Sequence, residues 1–253
     1  TDAARNVRSV QFTTVANVIN TSLGGTAVVQ SGVLPQSQTN VMGVMTGIAN
    51  FDWASSGSTI MPGAFCDHLT SFAGTFNANG QTPMSVWIRN GASGTAGTVD
   101  EPCNYQGKFP HARIHALYKQ GMCLSEAYLR SVQYVPFQGL MYGDPLTRAY
   151  AYPPNLSVSG VPSGPVNGTI VITPSATATE PSRQIAGYEL FVDGSSLGTV
   201  GLGGSFSLNT LELDDGWHEV RVLTWDTALT KHTRSWTGSI VVKGKETIRM
   251  QPH

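Results

Sequence analysis

The chain changes its grammar at "AYPPNLSVSG". Before Pro153-Pro154 apolar residues come in unbroken runs or at spacings of three and four, and after it they alternate with polar ones in short segments. "GTIVITPS", "IAGYELFVDG", "GSFSLNT", "GWHEVRVLTWD" and "TRSWTGSIVVKG" are such segments, separated by Gly, Asp, Asn and Pro. A period of two buries one face of a strand and wets the other. Tyr188, Leu190 and Val192 share one such face, and Val220, Val222 and Thr224 another. About six or seven strands of this kind, with turn residues between them, predict an antiparallel sandwich. The shift therefore sets a boundary, with one domain over 1–152 and an all-β domain over 153–253. Two domains are also what a chain of 253 residues leads one to expect.

The first domain reads as mixed α/β. In "TPMSVWIRNG", Thr82 stands as N-cap, Pro83 at the first helical position and Gly91 past the end, which predicts a short helix. In "GAFCDHLTSFAG", Phe65, Leu69 and Phe72 recur at helical spacing and predict a second helix. "LSEAYLRSV", capped by Ser125, predicts a third. "NVMGVMTGIANF" and "GTAGTVDEP" run on in small and apolar residues without alternation, as buried parallel strands do. A mostly parallel sheet covered by helices follows. The glycines of "GASGTAGT" would let a helix pack close, and Asp100 and Glu101 would end that strand at the carboxyl edge, where open α/β sheets bind ligands.

Charge excludes some functions. Fifteen basic and sixteen acidic residues leave a net charge of −1. No electrostatic footprint for nucleic acid or an anionic membrane results. The short basic clusters, "RNVR" and "KGKETIR", read as solvated ends. No apolar run reaches the roughly 18 residues of a membrane span. Charged residues make up 12% of the chain, against roughly 25% in an ordinary domain. That balance suits a secreted or cell-surface protein, and Thr1 reads as the start of a processed chain. Three cysteines occur without a CxxC pair. In an oxidising compartment Cys103 and Cys123 are the expected bridge, with Cys66 left over.

Two resemblances add to this. "YELFVDGSSLGTV" with "FSLNTLELDDGWHEVRVLTWD" resembles the bacterial immunoglobulin-like modules that decorate secreted proteins. "NVMGVMTGIANF", "PGAFCDHLTSFAG", "GASGTAGTVDEP", "HARIHALYKQGMCLSEAYLRSV" and "QGLMYGDPLTRAYA", taken as an ordered set, resemble the C-terminal half of an uncharacterised family of secreted bacterial proteins. That family is distantly similar to gingipain-type cysteine peptidases of the caspase-like fold. The resemblance implies a partial caspase-like domain whose early strands lie upstream of Thr1. It also implies where a catalytic pair would sit, and this chain departs from it there. Ile48 stands where the histidine belongs, and "SSGSTIMPGAF" brings no cysteine before Cys66.

The side chains left to form a site are Asp67, His68, Glu101 and His115. Asp67 and His68 read as an acid/base pair or as an exposed helix turn. Asp100 and Glu101, adjacent on an extended segment, would point apart. His111 and His115 would share a helix face as weak metal candidates, although "HExxH" is absent; no cofactor is expected. Trp217, Trp225 and Trp236 read as core or as an aromatic carbohydrate platform. Three functions stay open. The first is a secreted, non-catalytic structural or assembly protein, bound to its own cleaved N-terminal portion, to copies of itself or to a larger extracellular complex. The others are an extracellular hydrolase using Asp67, His68, Glu101 and His115, and a carbohydrate- or surface-binding module.

Overall fold

A computed structural model of the chain describes residues 1–77, 80–135 and 138–244. The chain divides into two compact units, Thr1–Ala151 and Tyr152–His253.

The first unit is organised by a strand buried on both sides. Its elements are α1 (Phe12–Ser22), β1 (Val41–Gly47), β2 (Ile60–Leu69), α2 (Ser85–Arg89), β3 (Gly94–Thr98), α3 (Arg113–Lys119), α4 (Leu124–Leu129) and β4 (Gly139–Gly143). The sheet order is β1-β2-β3-β4. β1, β2 and β3 run parallel and β4 antiparallel. β2 is interior, and every residue from Gly63 to Leu69 is buried. Its side chains alternate between two cores. Ala64 and Cys66 join Val41, Val44, Trp53, Ile60 and Trp87. Phe65 joins Ala96, Ile114, Tyr118, Leu124 and Tyr128 from the other side.

Here the helix expected over "GAFCDHLTSFAG" is corrected. Phe65, Leu69 and Phe72 do fall at helical spacing, but Ala64, Cys66, Asp67 and His68 between them are buried too. A run buried on both faces of a parallel sheet has no polar stripe, so spacing does not separate it from a helix. Two helix caps also differ. α2 starts after Met84, and Thr82 instead accepts the Phe51 N–H at its side chain. α4 starts after Cys123, whose N–H donates to Glu126 Oε2 in a capping box. Gly91 follows α2 with φ of 106°, where a side chain is strained.

The glycines of β3 have two separate reasons. A Cβ on Gly94 would stand 2.6 Å from Leu124 Cδ1, so α4 packs close there. A Cβ on Gly97 would stand 2.7 Å from the Gly74 nitrogen, so what approaches is the loop after β2 and not a helix.

The second unit holds two sheets. β5 (Asn155–Ser159), β7 (Thr169–Thr177) and β10 (Phe206–Asn209) form one, in the order β10-β7-β5. β6 (Pro165–Val166), β8 (Ile185–Val192), β9 (Ser195–Val200), β11 (Gly216–Asp226) and β12 (Thr233–Val242) form the other, in the order β6-β12-β11-β8-β9. All ladders are antiparallel except the short β6–β12 pairing. Ile172, Phe206 and Leu208 from the first sheet share one core with Tyr188, Leu190, Val192, Val220, Val222, Ile240 and Val242 from the second. The period-two residues of the sequence are thus the inward faces of β8 and β11. Thr224, also inward, satisfies its hydroxyl by donating to Gly187 O.

Because backbone cannot yield as a side-chain end can, Gly97→Ala is expected to destabilise the protein by about 1–3 kcal/mol. Gly94→Ala, which meets only the tip of Leu124, should cost less. Urea unfolding followed by hydrogen exchange of β3 amides checks this. Equal costs would mean that the loop at Gly74 moves freely.

Candidate functional site

The carboxyl ends of β1, β2 and β3 converge on Asp67 and His68, and burial decides what these two can do. On an extended strand neighbours point to opposite faces. Asp67 therefore looks toward Tyr128 and Phe109, and His68 toward Trp87. They do not form an acid/base pair, and neither is exposed, each being 2% accessible.

Asp67 is occupied by Arg8. Arg8 Nη1 donates to Asp67 Oδ2 at 2.8 Å and Nη2 to Oδ1 at 3.0 Å, a two-pronged match of fork to carboxylate. The same nitrogens donate to Pro110 O at 3.1 Å and Thr46 O at 2.9 Å. Burial raises the Asp67 pKa above the usual carboxylate range, and the charge and hydrogen bonds of Arg8 oppose that rise. Arg8 is 1% exposed, so the reading of "RNVR" as a solvated end is corrected.

His68 has both ring nitrogens engaged. Trp87 Nε1–H can only donate, so His68 Nδ1, 3.0 Å away, must be the acceptor. Nε2 then carries the proton and donates to Thr82 O at 2.9 Å. Phe51 meets the ring edge-on at 4.9 Å. Burial, set against the bond to Thr82, holds the His68 pKa down at about 4. The imidazole is a neutral hydrogen-bond bridge between Trp87 and Thr82. The cavity beside Asp67 and His68, lined also by Thr98, Lys108 and Phe109, measures about 10 Å³, room for about one water molecule.

Glu101 and His115 lie elsewhere. Glu101 is exposed and accepts the Cys103 N–H at 3.0 Å within a turn. It lines a separate depression of about 100 Å³ with Arg5, Thr70 and Asn104. His115, on α3, packs edge-on against Phe65 at 5.9 Å, and a Cβ on Gly43 would come within 2.6 Å of its Nδ1. Burial and the charge of Arg8 lower its pKa to about 4. The four candidates are thus distributed over the unit. His111 and His115 do not share a helix face, because α3 begins at Arg113 and His111 Nδ1 accepts the Arg113 N–H before it. Among the described residues no group of three or more His, Cys, Asp and Glu side chains could hold a metal ion. Cys66, Cys103 and Cys123 are all free thiols, so the bridge expected between Cys103 and Cys123 is corrected. Cys66 is fully buried inside β2, and burial pushes its thiol far above the ordinary range.

Sequence reasoning missed Arg8, Trp87 and Gln81. Gln81 Oε1 accepts from Thr70 Oγ1 at 2.8 Å and from Phe72 N at 2.9 Å, closing the loop beyond β2. The only signal for Arg8 was its rarity in a chain with 12% charged residues.

In the second unit Trp217 and Trp225 both lie on the outward face of β11, while Trp236 packs against the core. Trp217 is 64% exposed. Phe191, under the Arg221 guanidinium at 5.0 Å, lies on the same outward face.

No family model matches the chain. No curated protein matches it either. Among solved structures it is similar to the fibronectin(III)-like modules of Clostridium thermocellum CbhA, with 18% identity and a TM-score of 0.33 over 45% of this chain. The chain spans 60% of that structure. No helix among the described residues is long and apolar enough to cross a membrane.

A depressed histidine pKa makes stability fall as pH falls, because the unfolded chain takes up the proton first. His68 and His115, each lowered from 6.5 to about 4, should both contribute between pH 6.5 and 4. His68→Asn, whose side-chain oxygen can still accept from Trp87, should remove about one proton's worth of that slope. Urea unfolding against pH, read at the β2 amides, tests it. An unchanged slope would show that His68 is not held neutral.

Proposed function

We propose that this chain is a secreted, non-catalytic structural or assembly protein. In this reading it combines a degenerate caspase-like domain with an immunoglobulin-like module and works within a larger extracellular complex. The observation that carries the reading is the state of the carboxyl edge. Asp67 is committed to Arg8, His68 to Trp87 and Thr82, and Cys66 to the core. A thiol peptidase needs a thiolate within reach of a histidine, and a buried thiol of raised pKa beside a neutral, doubly bonded imidazole supplies neither. Assembly is supported by the outer strand β4. Leu140 and Tyr142 on it are 42% and 44% exposed, and Phe76, 62% exposed, meets Tyr142 edge-on at 5.4 Å. Apolar side chains on an outer strand invite a partner strand.

The outward aromatic residues Trp217, Trp225 and Phe191 favour a second reading, a carbohydrate-binding face on the five-stranded sheet. Light scattering on the eluting protein separates the two. Assembly predicts a mass above that of the 26.9 kDa chain, reduced to one chain by Tyr142→Glu. Retardation of a monomer in gels containing soluble polysaccharide, lost in Trp217→Ala, would transfer the conclusion to the second reading. Cleavage of peptides that depends on Cys66 would overturn both.

A further inference from the structure

Of residues 1–10 only Arg8 is buried, and Val10 is 78% exposed. The segment has no apolar anchor. Polar contacts hold it instead: Asp2 N donates to Gly47 O at 2.7 Å, Arg5 Nε to Thr70 Oγ1 at 3.0 Å, Asn104 to Ala4 O at 3.1 Å and Gln106 to Val7 O at 3.2 Å. Partly exposed bonds of this kind are individually weak.

Arg8 differs from them. Its two terminal nitrogens meet four acceptors, both Asp67 oxygens and the carbonyls of Thr46 and Pro110. Phe109 adds an aromatic ring 5.9 Å from Cζ. Every one of these groups belongs to the core of the unit, at the ends of β1 and β2 and ahead of α3. The acceptors are spaced for a planar fork, which an ammonium on a flexible stem does not match. A guanidinium pocket is therefore built by one part of the chain and filled by a side chain delivered on another.

We propose that Asp67, Thr46 and Pro110 form a recognition site for an arginine guanidinium, which Arg8 fills in cis. The segment Asp2–Ser9 is then a strap that an arginine on another polypeptide can displace. The strap's advantage over such a competitor is its tether, which sets a high effective concentration. Nothing here depends on whether the chain is an assembly protein.

The test uses the whole chain carrying Arg8→Ala. Ethylguanidinium should raise its melting temperature saturably by several degrees, since a ligand that binds only the folded state stabilises it. Ethylammonium at equal ionic strength should not, and Arg8→Ala combined with Asp67→Asn should respond to neither. The peptide "RNVRSVQ" should reproduce the gain, and "RNVKSVQ" should not. If Arg8→Ala does not fold unaided, the same additions are compared by recovery of near-ultraviolet circular dichroism on refolding. Equal responses to ethylguanidinium and ethylammonium in both readouts would overturn the site. A response to ethylguanidinium without one to the arginine peptide would overturn displacement by a second chain.

Discussion

A carboxylate sealed inside a protein has to be neutralised or paired, and Asp67 is placed there by the burial of β2 on both faces. Removing one member of a buried ion pair typically costs about 3–5 kcal/mol, because the other charge is left without solvent or partner. The carboxyl edge of the sheet is arranged around this requirement. Arg8 supplies the charge, and Thr46 and Pro110 supply the carbonyls that satisfy its remaining terminal N–H groups. The N-terminal segment is thereby drawn across the ends of β1 and β2.

The same edge engages side chains that are chemically able in other settings. Alternation along β2 sends Asp67 and His68 to opposite faces, so proximity in sequence does not become proximity of function. Trp87 fixes one nitrogen of His68 and Thr82 the other, and burial removes its charge. A site of general acid/base catalysis needs a group whose pKa lies near the working pH and whose proton can leave. His68 at about 4 does not meet the first condition, and both its ring nitrogens are already hydrogen-bonded.

The second unit carries a more exposed polar pair, in which the Asp193 side chain is 48% accessible. His218 Nδ1 bonds Asp193 Oδ2 at 2.6 Å and Nε2 bonds Asp214 O at 2.7 Å, which ties the β8–β9 turn to the segment before β11. The bond to Asp193 raises the His218 pKa, and the same bond lowers that of Asp193. The histidine's contribution is lost as pH rises through its raised value, and the aspartate's as pH falls through its lowered one. The pair thus stabilises the turn only between those limits, and solvent screening keeps the effect small.

Alternation in "YELFV" and "VRVLT" determined by itself which residues of β8 and β11 face inward, since a period of two has a single reading when one face is wet. Runs of small and apolar residues likewise identified β1 and β3. At β2 the helical spacing of Phe65, Leu69 and Phe72 pointed to a helix where the chain forms a strand, because a segment buried on every side carries no periodicity that distinguishes the two. The sequence also left Arg8 as an ordinary terminal charge, because the contact with Asp67 joins residues fifty-nine positions apart. Only the tertiary structure decided that the sheet edge is filled, that Glu101 and His115 stand away from it, and that His68 is held neutral. These depend on which chain segments meet in space, and the desolvation they impose on each other appears in no local pattern of residues.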